Sequence, residues 1–363
     1  MSAIASQTGE AVAARARALR VRGLEALVLS RVADAIYWMS RYVERAENVA
    51  RFIDVNLQLA LDFPEAGAQW EPLVATTGDA ALFAERYGEA SRDNVLHFLT
   101  FDRESPNSIV SSLALARENA RSVREIISSE MWEQVNQAYL MVMDAAKSRM
   151  ALESSHDFYT QVKQASHLFV GTTYLTMSHT EAWHFARMGR LLERADKTSR
   201  ILDVKYFLLL PQPTDVGTTL DALHWGALLR SASAFEMYRK RHGGITPSKV
   251  VEFLMLDRKF PRSVRYCLNK AERSLHAITG ASLGTWTNGA ERELGRLNAE
   301  LSYADTREIL AQGLHEHIDS LQQRLNYVSE SVFETFFAMK PETDVPQAGE
   351  SRPSLPPLVP SRH

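Results

Sequence analysis

Acidic and basic side chains recur together at two places in this chain. The segments RYVERAENVARFIDV (residues 41–55) and RLLERADKTSRILDV (190–204) share Arg41/Arg190, Glu44/Glu193, Arg45/Arg194, Arg51/Arg200 and Asp54/Asp203, with Asp196 answering Glu47, all at an offset of 149 residues. Guanidinium groups offer forked donors to carboxylate or phosphate, which makes Arg41, Arg45, Arg51, Arg190, Arg194 and Arg200 candidate ligand-binding residues. Asp54 and Asp203 would fix those arginines or receive an amine. A second chemistry uses Glu44 or Glu193 as a general base and His167 or His179 as the acid, although both histidines also read as packed, hydrogen-bonded side chains. The plainest reading takes Glu47–Arg51 and Asp196–Arg200 as intrahelical pairs worth a few tenths of a kcal/mol. A weak surface pair is a poor reason for eight positions to recur while their neighbours drift. A partly buried seam, where unmatched charge costs far more, explains it better.

A second match follows at an offset of 155. VLHFLTFDRESPNSI (95–109) faces VVEFLMLDRKFPRSV (250–264), sharing Asp102/Asp257, Arg103/Arg258, Pro106/Pro261 and Ser108/Ser263. Proline at a first helical position, after a turn and before a small polar residue, is helix-start chemistry and predicts a sharp interhelical corner. Arg258, with Arg262 and Arg265 added only in the second segment, leaves room for an anion site at that helix start. Trp70 and Trp225 fall in register within the same match and are expected to be buried anchors.

Familiar catalytic signatures are missing. The sequence has no phosphate-binding Gly-x-x-x-x-Gly-Lys-Ser/Thr loop, no dinucleotide Gly-x-Gly-x-x-Gly and no Gly-x-Ser-x-Gly elbow. Glu-x-x-His occurs at Glu153/His156 and Glu181/His184, but the two stand too close in sequence to face each other on long helices as a di-iron bundle needs. No metal site is therefore expected.

The elements that position these residues are helices. There is no proline before Pro64, between Pro106 and Pro211, or between Pro261 and Pro341, and apolar residues in those stretches follow helical spacing, as in Val43, Ala46, Ala50 and Ile53. At 100° per residue Arg41, Arg45 and Asn48 lie opposite that apolar face. The class is all-α. The two ordered matches predict a tandem duplication whose copies bury their apolar faces against one another, as a helical bundle with pseudo-twofold symmetry. Expected boundaries are a flexible N-terminal extension over 1–27, a first repeat over 28–150, a connecting helical segment over 151–174, a second repeat over 175–340, and a disordered proline-rich tail over 341–363.

Bulk properties exclude several classes. A net charge of −3 gives no electrostatic case for nucleic acid or an anionic membrane, and no apolar run approaches the ~18 residues of a membrane span. The lone cysteine, Cys267, sits among apolar neighbours and reads as core in a reducing compartment, so a cytoplasmic location is expected. The arginine-rich start, MSAIASQTGEAVAARARALRVRG, reads as a frayed extension rather than a targeting peptide.

Five ordered segments, LSRVADAIYWMSRYVERAENVAR (29–51), ENARSVREIISSEMWEQVN (118–136), TEAWHFARMGRLLERADKTSRILD (180–203), LLRSASAFEMY (228–238) and FLMLDRKFPRSV (253–264), resemble the hallmark segments of the bacterial alpha-E family over about residues 28–340. The chain departs from the usual pattern in the extension before Val28 and in Asp34, where a glutamate is commoner. The resemblance implies a genomic setting beside circularly permuted ATP-grasp proteins, with a transglutaminase-like protease as a second associate. ATP-grasp enzymes join a carboxylate to an amine through an acyl phosphate. The expected function is thus a cytoplasmic helical component of an ATP-grasp-type peptide or amide ligase system, binding a small acidic or peptidic ligand or the ligase itself. It would carry no cofactor of its own, ATP and magnesium entering through the partner. Two alternatives stand beside it: an enzyme using a Glu/Arg/His site in the bundle cleft, and a purely structural adaptor.

Overall fold

The computed structural model describes residues 2–62, 70–148, 155–208 and 219–338, with side chains of the first helix described from Ser30. The side chains of the N-terminal extension and the whole proline-rich tail lie outside the described residues. In chain order the helices are α1 (Ser2–Asp62), α2 (Glu71–Thr77), α3 (Ala80–Tyr87), α4 (Arg92–Thr100), α5 (Ile109–Ser122), α6 (Ser129–Ser148) and α7 (Ser155–Thr176). They continue with α8 (Glu181–Leu208), α9 (Thr219–Ser231), α10 (Phe235–His242), α11 (Pro247–Val251), α12 (Val264–Thr279), α13 (Gly289–Tyr303), α14 (Thr306–Gln312) and α15 (Leu314–Val332). A single π-turn extends α11 over Glu252–Leu256, and another extends α15 over Phe333–Phe337. No strand occurs among the described residues, so the protein is all-α.

Two hydrophobic cores form, and α1 serves both. Ala46, Val49, Ala50 and Ile53 join Trp70, Phe83, Phe98, Leu113 and Tyr159 in one core. Ile36, Tyr37, Met39 and Val43 join Leu192, Trp225, Leu254, Leu268 and Leu325 in the other. Trp70 and Trp225 are both buried, as their matched positions predicted. α7 packs on α1 and α6, so the segment read as a connection contributes, where described, to the first core.

The most extensive helix contact is between α1 and α8. They approach closely because Gly189 has no side chain: a Cβ there would stand 2.4 Å from the Tyr37 carbonyl oxygen. This contact corrects the two-faced reading of α1. Arg41 and Asn48, opposite the apolar stripe, are also buried, because α8 covers them.

The two Asp-Arg-x-x-Pro-x-Ser corners fold alike, with one difference from expectation. Ser108 and Ser263 are the N-caps of α5 and α12, accepting the Ser111 and Tyr266 N–H groups at 3.1 Å each. Each hydroxyl also donates back to a backbone carbonyl, of Asp102 and of Asp257. Pro106 and Pro261 therefore lie in the turn before the cap rather than at the first helical position. Arg86 and Arg241 close the corners on Asp102 and Asp257. Ser263→Ala removes the cap and leaves buried groups unpaired, and is expected to cost about 1–2 kcal/mol in urea unfolding. A change below a few tenths would mean that the capping bonds do not form in solution.

Candidate functional site

Where α1 crosses α8, each helix hands its carboxylate to arginines of the other. Arg45 grips Glu193 with both Nε (2.7 Å) and Nη2 (3.1 Å), while Arg41 Nε donates to the same carboxylate at 2.9 Å. In the opposite sense Arg194 grips Glu44 with Nε and Nη2, both at 2.7 Å. Glu44, Glu47 and Glu193 are fully or almost fully buried. The adjacent Glu-Arg pairs of each helix thus present charge across an interface, while the i,i+4 pairs Glu47–Arg51 and Asp196–Arg200 form within their helices.

Further partners extend the network. Arg262, on the corner before α12, donates to Glu44, to Asn48 at 3.2 Å and to Glu47. Glu47 also holds Arg51, whose other nitrogen donates to Ser233. Arg200 takes Asp196 at 3.0 Å, the intrahelical pair expected from the spacing. Lys197, buried beside them, lies 3.2 Å from Asp196 and 3.8 Å from Glu193.

Burial alone would raise the Glu193 carboxyl, but Arg45, Arg41 and Lys197 outweigh it and hold the group well below the usual carboxylate range. Burial likewise opposes Glu47, which Arg262 and Arg51 bring well below that range. Glu44 is lowered against burial by Arg194 and Arg262, and Asp196 by Lys197 and Arg200. Such carboxylates stay ionised and engaged at neutral pH, which suits binding and stability better than proton abstraction.

The sequence-derived candidates separate into groups. Arg41, Arg45, Arg51, Arg194, Arg200, Arg262, Glu44 and Glu193 meet at the crossing. His167 joins its edge, with Nε2 3.3 Å from Glu47. His179 does not pair with the seam carboxylates; it stacks on Trp183 at 4.0 Å and its Nε2 lies 3.0 Å from the Tyr174 carbonyl. Asp54 and Asp203 fix no arginine: Asp54 takes Lys163 at 2.6 Å and His156 at 2.7 Å, and Asp203 takes His315 at 2.7 Å. Arg258 is exposed and Arg262 turns into the seam, so these two do not converge on one anion at that helix start. Arg190 was expected to hold a carboxylate and has none among the described residues; burial and the neighbouring Arg194 push its pKa down to about 10. Cys267 is buried as expected, and burial pushes its thiol up to about 12.

Sequence reasoning missed Lys197, Asn48 and Asn107. Asn107 accepts from Arg45 at 2.8 Å and stands 155 residues before Arg262, the offset of the corner match, a signal that could have found it. Lys197 stands four residues after Glu193, the spacing already used for the other pairs.

Beside Glu193 the crossing opens into a cleft of about 190 Å³, lined by Arg41, Arg45, Lys197, Arg200, Asp196 and Ser329 among others. Four cations there meet two carboxylates, Glu193 and Asp196. No group of three or more His, Cys, Asp or Glu among the described residues is arranged to hold a metal ion; Glu153, of one Glu-x-x-His motif, lies outside them. No described helix is long and apolar enough to cross a membrane.

Uncharacterized proteins of Mycobacterium bovis and Mycobacterium tuberculosis are 24% identical over 323 residues, covering 82% of this chain. The chain spans about a third, 35%, of the length of these relatives. No solved structure matches it. Residues 28–337 match a family described as a predicted alpha-helical domain with a conserved ER motif. Glu-Arg pairs stand at the centre of the crossing twice, as Glu44-Arg45 and Glu193-Arg194. With that match covering most of its length, the chain belongs to the Alpha-E family.

Proposed function

We propose that this protein is a cytoplasmic binding component of an ATP-grasp-type peptide or amide ligase system, and that it holds the acidic group of a small or peptidic ligand in the cleft between α1 and α8. The carrying observation is the excess of cations: Arg41, Arg45, Lys197 and Arg200 face only Glu193 and Asp196, leaving two positive charges for a carboxylate or phosphate to neutralise. The ligase partner, a circularly permuted ATP-grasp protein, brings ATP and magnesium, and a transglutaminase-like protease acts in the same system. The greater length of the mycobacterial relatives fits a domain that works beside others. Catalysis by Glu44 or Glu193 is the weaker reading, since both are saturated by arginines and held ionised.

The test is calorimetric titration of the full chain with L-glutamyl-L-glutamate, L-alanyl-L-alaninamide and inorganic phosphate. The acidic dipeptide is expected to bind and the uncharged-terminus amide to fail; phosphate binding would identify the anion preferred. Lys197→Met keeps volume, removes one surplus cation and should weaken the acidic dipeptide at least tenfold, about 1.4 kcal/mol, while the fold survives. Co-purification with an ATP-grasp protein without any anion binding would instead support a structural adaptor.

The duplication belongs to the same proposal: two copies of one helical unit, related by a pseudo-twofold axis between α1 and α8. Contacts at matched positions support it. Arg45 and Arg194 exchange carboxylates, and Arg86 and Arg241 close equivalent corners. Arg51 reaches Ser233 and Arg200 approaches Gly78, two matched residues with positive φ of 49° and 85°.

A further inference from the structure

Arg190 lies four residues before Arg194 on α8, yet among the described residues it has no hydrogen-bond acceptor or carboxylate within pairing distance. It borders a cavity of about 390 Å³ between α1, α7 and α8, whose walls are chiefly Phe169, Tyr174, Leu175 and Trp183. Ser40 of α1 lines the same cavity; it is 2% exposed, and its hydroxyl has no partner. Arg187, at the rim, is held over the Trp183 ring at 5.2 Å. His179 stacks on the same tryptophan. Gly171 faces the cavity from α7, with nothing within 4 Å of where its Cβ would stand.

An unpaired guanidinium and an unpaired hydroxyl on the lining of a largely apolar cavity are an unfinished arrangement. A half-buried cation without a counter-charge is partly stripped of water with nothing to replace it, and a buried hydroxyl without a partner is costly. One ligand class answers both. We propose that this cavity is a binding site for a small monocarboxylate with an aromatic or branched aliphatic body, its carboxylate on Arg190 and Ser40 and its body against Phe169, Tyr174 and Trp183. The volume falls in the range of small-molecule pockets, roughly 300–1,000 Å³. A monoanion balances Arg190, while Arg187 is held over the Trp183 ring, and a phosphate dianion would bring more acceptors than these largely apolar walls can satisfy. The burial and Arg194 repulsion that lower the Arg190 pKa are relieved by such a ligand, and Glu44, already engaged by Arg194, offsets them only in part. The site lies on different residues from the cationic cleft and does not depend on it.

The experiment is titration calorimetry and thermal unfolding of the full chain with 3-phenylpropionate and indole-3-acetate, against 3-phenylpropionamide and inorganic phosphate. At least one acid is expected to bind and raise the unfolding midpoint, with the amide at least tenfold weaker and phosphate without effect at this site. Arg190→Met should abolish acid binding while raising the midpoint of the ligand-free protein, because it removes an uncompensated charge. Gly171→Leu, which fills the chamber without touching the charge, should abolish binding too, whereas Lys197→Met should leave it unchanged. Equal affinity for acid and amide, undiminished acid binding by Arg190→Met, or no response to either acid would each overturn the assignment.

Discussion

Glu193→Gln is expected to destabilise the fold by about 3–5 kcal/mol, measured as a shift in the urea midpoint at constant m-value. The exchange conserves shape, removes the charge and turns one accepting oxygen into a donor facing the arginines. It leaves Arg41, Arg45 and Lys197 facing one another at a site where the carboxylate had accepted bonds from both arginines and each cation was already desolvated. The net worth of the intact cluster is a different quantity, because burying its ions was costly in the first place. Replacing Arg45 together with Glu193 by Met and Gln should therefore cost less than the sum of the two single exchanges, with a coupling of about 1–3 kcal/mol. A loss below 1 kcal/mol for Glu193→Gln would mean that water reaches the crossing.

The same carboxylates set an acid limit. Glu44, Glu47, Glu193 and Asp196 all titrate lower in the folded chain than their ordinary values of 4.5 for Glu and 3.8 for Asp. Between the folded and unfolded values the unfolded chain binds more protons, so stability rises with pH in that window. The contribution is complete above about pH 5 and is lost as pH falls below about 4 through the folded values. Glu193→Gln, lacking one of these groups, should show a shallower acid limb.

How much of this was legible depended on what each signal records. Helical spacing and proline placement report local backbone preference, and they located the helices that carry the seam. Repetition at an offset of 149 marked Glu44, Arg45, Glu193 and Arg194, and the helices carrying them do cross. The spacing could not say which arginine serves which carboxylate. Arg190 repeats Arg41, yet Arg41 bonds Glu193 and Tyr37, while Arg190 is left over an apolar chamber. Matched sequence thus concealed unmatched environments. Arg262 was read by its nearness to a helix start, whereas its guanidinium reaches residues more than two hundred positions away. A periodicity count also treats the polar side of a helix as wet; α1 is covered on that side because α8 carries complementary charge, a tertiary fact that no window of one helix contains.

Gly189→Val carries the second large expected effect, about 3 kcal/mol or more, since overpacking a tight core costs 1–3 kcal/mol and here the obstacle is backbone. A Cβ at position 189 would lie 2.4 Å from the Tyr37 carbonyl oxygen and 3.0 Å from its ring, and neither can rotate away. Tyr37 is itself 1% exposed and accepts from Arg41 at 3.1 Å. Relief therefore requires α1 and α8 to separate, which stretches the 2.7 Å bonds of Arg194 to Glu44 and of Arg45 to Glu193. The steric cost and the charge cost arrive together, so the acid limb of Gly189→Val should flatten as its midpoint falls. Gly171→Ala is the control. That helix position has open space around the added methyl, and the gain in helix propensity should stabilise the chain by up to about 1 kcal/mol. If Gly189→Val unfolded within 1 kcal/mol of the parent, the close crossing that aligns the two Glu-Arg pairs would not exist in solution, and the cleft beside it would lose its frame.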